Sequence, residues 1–235
     1  MLNEKFWAKY FKVYDVLNEA IPYQELLQSI CDELEIKKED KILEAGSGTG
    51  NLAIAIKKRG GIPTAIDNVK EALKRHQEKD NEADVVFGNL TETLPFPDNY
   101  FDKVCSNNVL YAITKDRRNG ILEEFYRVLK PGGKIVLSNL HRDFKATAVY
   151  KDHLKKYYQK KGLFETIRRI LNMIIPTLKI FYYNAKIKKE HSVGEFNFVK
   201  IKEQERLLKD NGFENISEEK LVYAQQGILI SGEKI

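Results

Sequence analysis

Ile42-Leu43-Glu44-Ala45-Gly46-Ser47-Gly48-Thr49-Gly50 is the stretch around which the rest of the chain falls into place. Residues 41–45 read as a short buried strand and residues 51–58 as a helix, with glycines at 46, 48 and 50 between them. Glycine at alternate positions lets the backbone take φ > 0 and approach a ligand closely. The turn ends at a helix N-terminus, where unpaired N–H groups face a bound molecule. Strand, glycine turn and helix make the first half of a nucleotide-binding βαβ unit.

Two details sharpen that reading. The spacing is G-x-G-x-G, and position 51 is Asn where a dinucleotide fold wants a small residue for close helix packing. Glu44 stands two residues before Gly46, where a carboxylate would repel a pyrophosphate but suit a cationic amino group. The stretch E-A-G-S-G-T-G resembles the first motif of the class I S-adenosylmethionine (SAM)-dependent methyltransferases. Their methyl donor has no phosphate and carries an α-ammonium and a sulfonium. The resemblance implies donor contacts from Glu44, Ala45, Gly46, Ser47 and Gly48. The alternative is a tight turn without a ligand.

The resemblance continues along the chain. The second strand, residues 62–66, ends in Asp67, at about the distance where a second-strand carboxylate meets a ribose. Asp67 can equally cap the next helix, residues 69–77, and both roles are open to it. The family pattern places Asn68 beside it in the donor site. A third strand, residues 83–87, leads into Gly88-Asn89-Leu90. Class I methyltransferases often carry Gly-Asp here, with the Asp on the adenine amino group. An Asn carbonyl can accept the same hydrogen bond, so Asn89 and Leu90 are expected at the adenine. Leu94-Pro95-Phe96-Pro97-Asp98-Asn99-Tyr100-Phe101-Asp102 resembles the LPFPDNSFD run of the small-molecule methyltransferases and delivers the fourth strand, residues 101–106. Asn107, Leu110 and Tyr111 then face the boundary between donor and acceptor, because open α/β sheets bind ligands at the carboxyl ends of their strands. The Asn-Pro-Pro-Tyr sequence of amino-methylating DNA and protein enzymes is absent.

Residues 116–130 read as an amphipathic helix that Lys130-Pro131-Gly132-Gly133-Lys134 ends before a fifth strand at 135–140. A helix at 201–210 and strands at 213–223 and 226–232 close the chain, the last antiparallel in this family. The expected fold is α/β: a Rossmann-like, seven-stranded, mostly parallel sheet with helices on both faces, an N-terminal helical lid and an inserted helical cap. One domain is expected, with N-terminal helices at 1–37, the core at 38–140 and 201–235, and the cap at 141–200. Residues 4–18 repeat apolar side chains at helical spacing. There Tyr14-Asp15-Val16-Leu17-Asn18 resembles a stretch of the ubiquinone and menaquinone methyltransferases whose tyrosine lies near the cofactor, which makes Tyr14 a site residue.

Composition sets the outer limits. Hydrophobic content of 43% and charged content of 31% are ordinary for a soluble globular protein. Two cysteines, 31 and 105, give no disulfide framework and favour a reducing compartment. The N-terminus has no signal-peptide pattern, and no apolar run approaches the roughly 20 residues of a membrane span. A cytoplasmic protein is expected. The four histidines lack paired ligand spacing, so no metal is expected.

The net charge of +5 is unevenly spread: residues 145–190 hold 12 Lys and Arg against 3 acidic residues, and the rest of the chain is net acidic. In this segment Leu163, Phe164, Ile167, Ile170, Leu171, Ile174 and Ile175 follow helical spacing, with Glu165, Arg168, Arg169 and Asn172 opposite. Such a segment suits peripheral contact with an anionic membrane or a polyanionic partner. The plainer alternative is a cap packed on the core with a solvated lysine face. Nucleic acid is the weaker partner, since no recognised RNA module is present. A small hydrophobic or amphipathic acceptor, such as a quinone precursor or lipid, is expected, the alternatives being RNA methylation through the basic cap or SAM binding without catalysis. For the chemistry, His141 is the candidate general base and Tyr111 an orienting hydroxyl. His141 is as readily a turn residue.

Overall fold

In a computed structural model the chain is described at residues 9–11, 13, 15, 19–190 and 198–235. Residues 9–11, 13 and 15 are helical, in keeping with the expected N-terminal helix. Phe6, Trp7, Tyr14 and Leu17 of that helix, Tyr14 among them as a site residue, lie outside the described residues. The elements that follow are α1 (Ile21–Leu34), β1 (Lys41–Ala45), α2 (Asn51–Lys58), β2 (Ile62–Asp67), α3 (Lys70–Lys79), β3 (Asp84–Phe87) and β4 (Phe101–Asn107). Then come a 3-10 turn (Leu110–Ala112), α4 (Lys115–Val128), β5 (Leu129–Leu140), α5 (Ala146–Glu190), α6 (Glu203–Asp210), β6 (Lys220–Val222) and β7 (Gly227–Glu233). The seven strands form one sheet in the order β3-β2-β1-β4-β5-β7-β6. The first five are parallel, and β7 runs antiparallel to both β5 and β6. Strand order reverses between β1 and β4, which opens the crevice where such sheets bind ligands.

Side chains alternate across a strand, and here each strand feeds two cores. Leu43, Val104, Ile135, Leu137 and Ile230 point to the face covered by α4 and α6. Ile42, Cys105, Val136 and Leu229 point to the face covered by α1 and α2. Buried apolar runs of this kind are what a parallel sheet covered on both faces demands.

Three expectations are corrected. The strand expected at 213–223 is confined to Lys220–Val222. Asn215 takes φ 46, which breaks the extended chain, and ahead of β6 there is one bridge, Glu214 to Glu233. The fifth strand begins at Leu129 rather than 135, and α4 stops at Val128. Pro131 disfavours helix at Lys130, and the Lys234 ammonium takes up the Tyr126 and Leu129 carbonyls at 2.7 and 2.8 Å.

The cap is one long helical segment, α5, interrupted at Gly162, whose φ 78 and ψ −179 no helix accommodates. Its orientation reverses the packed-cap expectation. Val149, His153, Thr166 and Met173 are buried against the body, whereas Leu163, Phe164, Ile167, Leu171, Ile174 and Ile175 are exposed. Polar contacts settle this orientation. His153 Nδ1 accepts the Ile21 N–H at 3.1 Å and so satisfies a donor at the start of α1. Lys156 pairs with Glu25, and Arg169 with Glu19.

Candidate active site

The glycine turn takes φ of 76, 53 and 76 at Gly46, Gly48 and Gly50. Its glycines serve different ends. A Cβ on Gly46 would lie 2.2 Å from Val109 Cγ2, and one on Gly50 would lie 2.1 Å from the His76 ring. A Cβ on Gly48 would meet nothing within 4 Å, so the open cradle of the turn lies there. The Gly46 and Ser47 N–H groups both donate to the Ile66 carbonyl, at 2.8 and 3.0 Å, and fasten the turn to the end of β2.

Glu44 lies beneath the turn. Its carboxyl accepts the Ala53 N–H at 2.9 Å, in the first turn of α2, and is 3% exposed. Burial pushes its pKa up to about 8, against the lowering effect of the Ala53 hydrogen bond. At neutral pH the group is therefore largely a neutral cap on α2. The folded protein holds the proton more tightly than the unfolded chain, where a Glu titrates near about 4.3. Stability must then fall as pH rises from that value through about 8. Glu44→Gln keeps an acceptor and removes the titration. The variant should gain on the parent at pH 8 and above, read as urea midpoints across a pH series. A parent whose midpoint does not fall over this range would overturn the assignment.

Asp67 ends β2 beside the cradle. Its Oδ2 accepts the Gly48 N–H at 2.8 Å and its Oδ1 the Val69 N–H at 2.9 Å. Asp67 thus closes the turn ahead of α3, whose N-cap position is Val69 with no side-chain cap, and each carboxylate oxygen has a further lone pair for a ligand hydroxyl. Asn68 is exposed next to it. Asn89 turns its Oδ1 onto the Thr91 N–H and hydroxyl, at 3.1 and 3.0 Å, and so shapes the loop after β3 over buried Leu90.

Across the crevice, β4 ends in Asn107 and the 3-10 turn that follows carries Tyr111. Ser47 Oγ and Asn107 Oδ1 are buried and have no hydrogen-bond partner among the described residues. Buried polar atoms without a protein partner, beside the carboxyl ends of β1 and β4, match a ligand rich in hydroxyl and ammonium donors. SAM is such a ligand, so the residues present fit the donor that the motif implies. Tyr111 stacks on Phe198, with ring centroids 5.6 Å apart, and Phe144 closes on Phe198 at 6.0 Å. Burial raises the Tyr111 pKa, so this phenol keeps its proton.

His141, the candidate base, is held at both ring nitrogens. Its Nε2 meets the Gln225 carbonyl at 2.8 Å and its Nδ1 accepts the Asp143 N–H at 3.0 Å. Nε2 holds the end of β5 to the β6–β7 turn, while Nδ1 closes the local turn at Asp143, so both ring nitrogens serve the turn in this structure. His141→Ala should lower stability by about 1–2 kcal/mol and leave SAM affinity unchanged, measured by urea unfolding and titration calorimetry. A large loss of turnover at unchanged stability would restore the catalytic role.

Two arrangements were not read from the sequence. Lys79 of α3 reaches Asp15 at 2.7 Å, the Thr49 carbonyl at 3.1 Å and Asn51 Oδ1 at 2.9 Å, while Asp15 also accepts from the Thr49 hydroxyl. This clamp ties the N-terminal segment to the glycine turn. Asn139, wholly buried in β5, accepts the Leu110 N–H at 2.9 Å and donates to Gln204 of α6 at 2.8 Å. It thereby fixes the turn that carries Tyr111. The available signal was a lone amide in the apolar run Val136-Leu137-Ser138-Asn139-Leu140.

Comparison with known proteins agrees with this geometry. A family model described as a methyltransferase domain matches residues 43–137. An uncharacterized methyltransferase of Bacillus subtilis, YdaC, is 35% identical over 134 residues, which are 54% of this chain and 71% of that protein. A demethylmenaquinone methyltransferase of Staphylococcus saprophyticus is 29% identical over 216 residues, 86% and 84% of the two chains. The ubiquinone/menaquinone biosynthesis C-methyltransferase UbiE of Neisseria meningitidis is 31% identical over 144 residues, 57% and 58% of the two chains. The chain spans little more than half the length of several relatives it matches, 57%, 52% and 58% in three bacterial proteins. A SAM-dependent methyltransferase from Aquifex aeolicus shares the fold, with a TM-score of 0.62 at 15% identity over 96% of this chain and 98% of that one.

Proposed function

The chain belongs to the class I SAM-dependent methyltransferases, and on that premise we propose that it methylates a small hydrophobic or amphipathic acceptor, a quinone precursor or a lipid. The observation that carries this reading is the aromatic wall beside the cradle, where Tyr111 and Phe198 stack next to Phe144. Stacked rings favour a flat or greasy acceptor over a strongly polar one. The activities that the UbiE and demethylmenaquinone relatives are named for lend the quinone class further support.

When bound, SAM supplies an activated methyl on a sulfonium, which passes in line to the acceptor and leaves S-adenosylhomocysteine. The protein's share is orientation and a dry site, and good proximity contributes on the order of 7–11 kcal/mol. Gly48 and Asp67 hold the nucleoside end, and Asn107 Oδ1 accepts from a donor group on the ligand. Tyr111, held neutral by burial, orients the acceptor through its hydroxyl. With His141 engaged at both nitrogens, this reading favours an acceptor that is nucleophilic as it binds.

The test is methyl-labelled SAM incubated with a cell extract, which is then separated into lipid, water-soluble small-molecule, nucleic-acid and protein fractions. Enzyme-dependent label in the lipid or small-molecule fraction is expected. Label confined to nucleic acid or protein overturns the acceptor class. SAM binding with no label in any fraction overturns the transferase reading.

A further inference from the structure

We infer that α5 docks this protein on the surface of an anionic lipid bilayer, through the exposed apolar face of residues 163–178 and the basic residues that border it. The second stretch of the helix turns the wrong face to solvent for a packed cap. Phe164, Leu171, Ile175 and Leu178 are 78%, 61%, 62% and 63% exposed, and Ile167 and Ile174 stand beside them. At 3.6 residues per turn these six fall within an arc of about 100°. Thr166, Arg169 and Met173 occupy the opposite side and hold the helix to the body. Because the body-facing side is already engaged, the apolar arc is left uncovered among the described residues.

The charge around this arc selects the occupant. Arg168 and Lys179 lie along its polar edge and are exposed, and Lys160 and Lys161 are exposed just before the break at Gly162. From residue 153 to residue 189 the sequence holds ten Lys and Arg against one carboxylate, Glu165. A second copy of the chain laid on the same face would set two such basic borders against each other. A nucleic acid would satisfy the charge and leave the leucines and isoleucines in water. An anionic bilayer surface satisfies both, because the apolar side chains enter the boundary of headgroups and acyl chains while the cations meet the lipid phosphates. No described helix is long and apolar enough to cross a membrane, so the contact is a lateral one.

Sedimentation of the full chain with vesicles tests this. Phosphatidylglycerol-containing vesicles should carry the protein down, phosphatidylcholine vesicles should carry much less, and added salt should release it. Leu171→Glu with Ile175→Glu, both at exposed positions, should lower partitioning about tenfold or more and leave SAM affinity as it was. Lys160→Gln with Lys161→Gln should flatten the salt dependence. Three results would overturn the proposal: no partition into either vesicle, partition that the two glutamates leave unchanged, or a concentration-dependent dimer that those glutamates break. The vesicles carry no methyl donor, so the outcome stands apart from the transfer reaction.

Discussion

Asp67→Ala should weaken SAM binding by about a hundredfold or more. The Asp67 carboxylate joins two parts of the site, since one oxygen takes the Gly48 N–H at 2.8 Å and the other the Val69 N–H at 2.9 Å. Its removal strands both backbone donors, each at a cost of about 1–3 kcal/mol. The first of these donors shapes the cradle itself, because Gly48 is the turn residue that faces open space. The same change deletes the acceptor available to ribose hydroxyls. Asp67→Asn keeps one acceptor oxygen and should fall between the two. Titration calorimetry gives the affinities, and thermal melts separate the loss of fold from the loss of binding. Affinity close to the parent's in a folded Asp67→Ala protein would remove this residue from the donor site.

Glu203→Ala should cost the fold about 3–5 kcal/mol, one of the largest single effects available here. Its partner Arg118 on α4 is 1% exposed and is paired with Glu203 at the start of α6. Burial works against the charged guanidinium and lowers the Arg118 pKa, while the Glu203 carboxylate works to keep it charged. Without Glu203, a buried cation loses its compensating charge. The pair also braces the site, since Arg118 Nη2 donates to the Ile113 carbonyl just after the turn that carries Tyr111. Arg118→Met with Glu203→Leu removes both charges together and should recover most of the loss. Urea unfolding at constant m checks both proteins. A single variant within about 1 kcal/mol of the parent would mean that water reaches the guanidinium.

Much of the architecture was legible because local rules and the global fold agree. The alternating glycines at 46, 48 and 50 take the positive φ that their spacing suggested, and Asp67 arrives beside them from the end of β2. The strand expected at 213–223 failed because its start depends on Asn215, a residue that tolerates φ > 0 without announcing it. Glu44 shows a deeper limit. A carboxylate two residues before a glycine turn suggested a charge facing an ammonium, but the closed sheet and α2 bury it, and burial rather than sequence position sets its protonation. His141 shows a different limit: its Nε2 partner, the Gln225 carbonyl, lies 84 residues away along the chain, so local sequence could not show that the ring is engaged.

The sequence by itself determined the order of strands and helices, the glycine turn and the basic, apolar character of residues 145–190, since these follow from local spacing, backbone freedom and composition. Tertiary structure alone decided which face of that segment meets water. Helical periodicity defines an apolar arc without saying what lies against it. His153 against the start of α1, Lys156 with Glu25 and Arg169 with Glu19 turn the other side of the helix to the body, and the apolar arc outward.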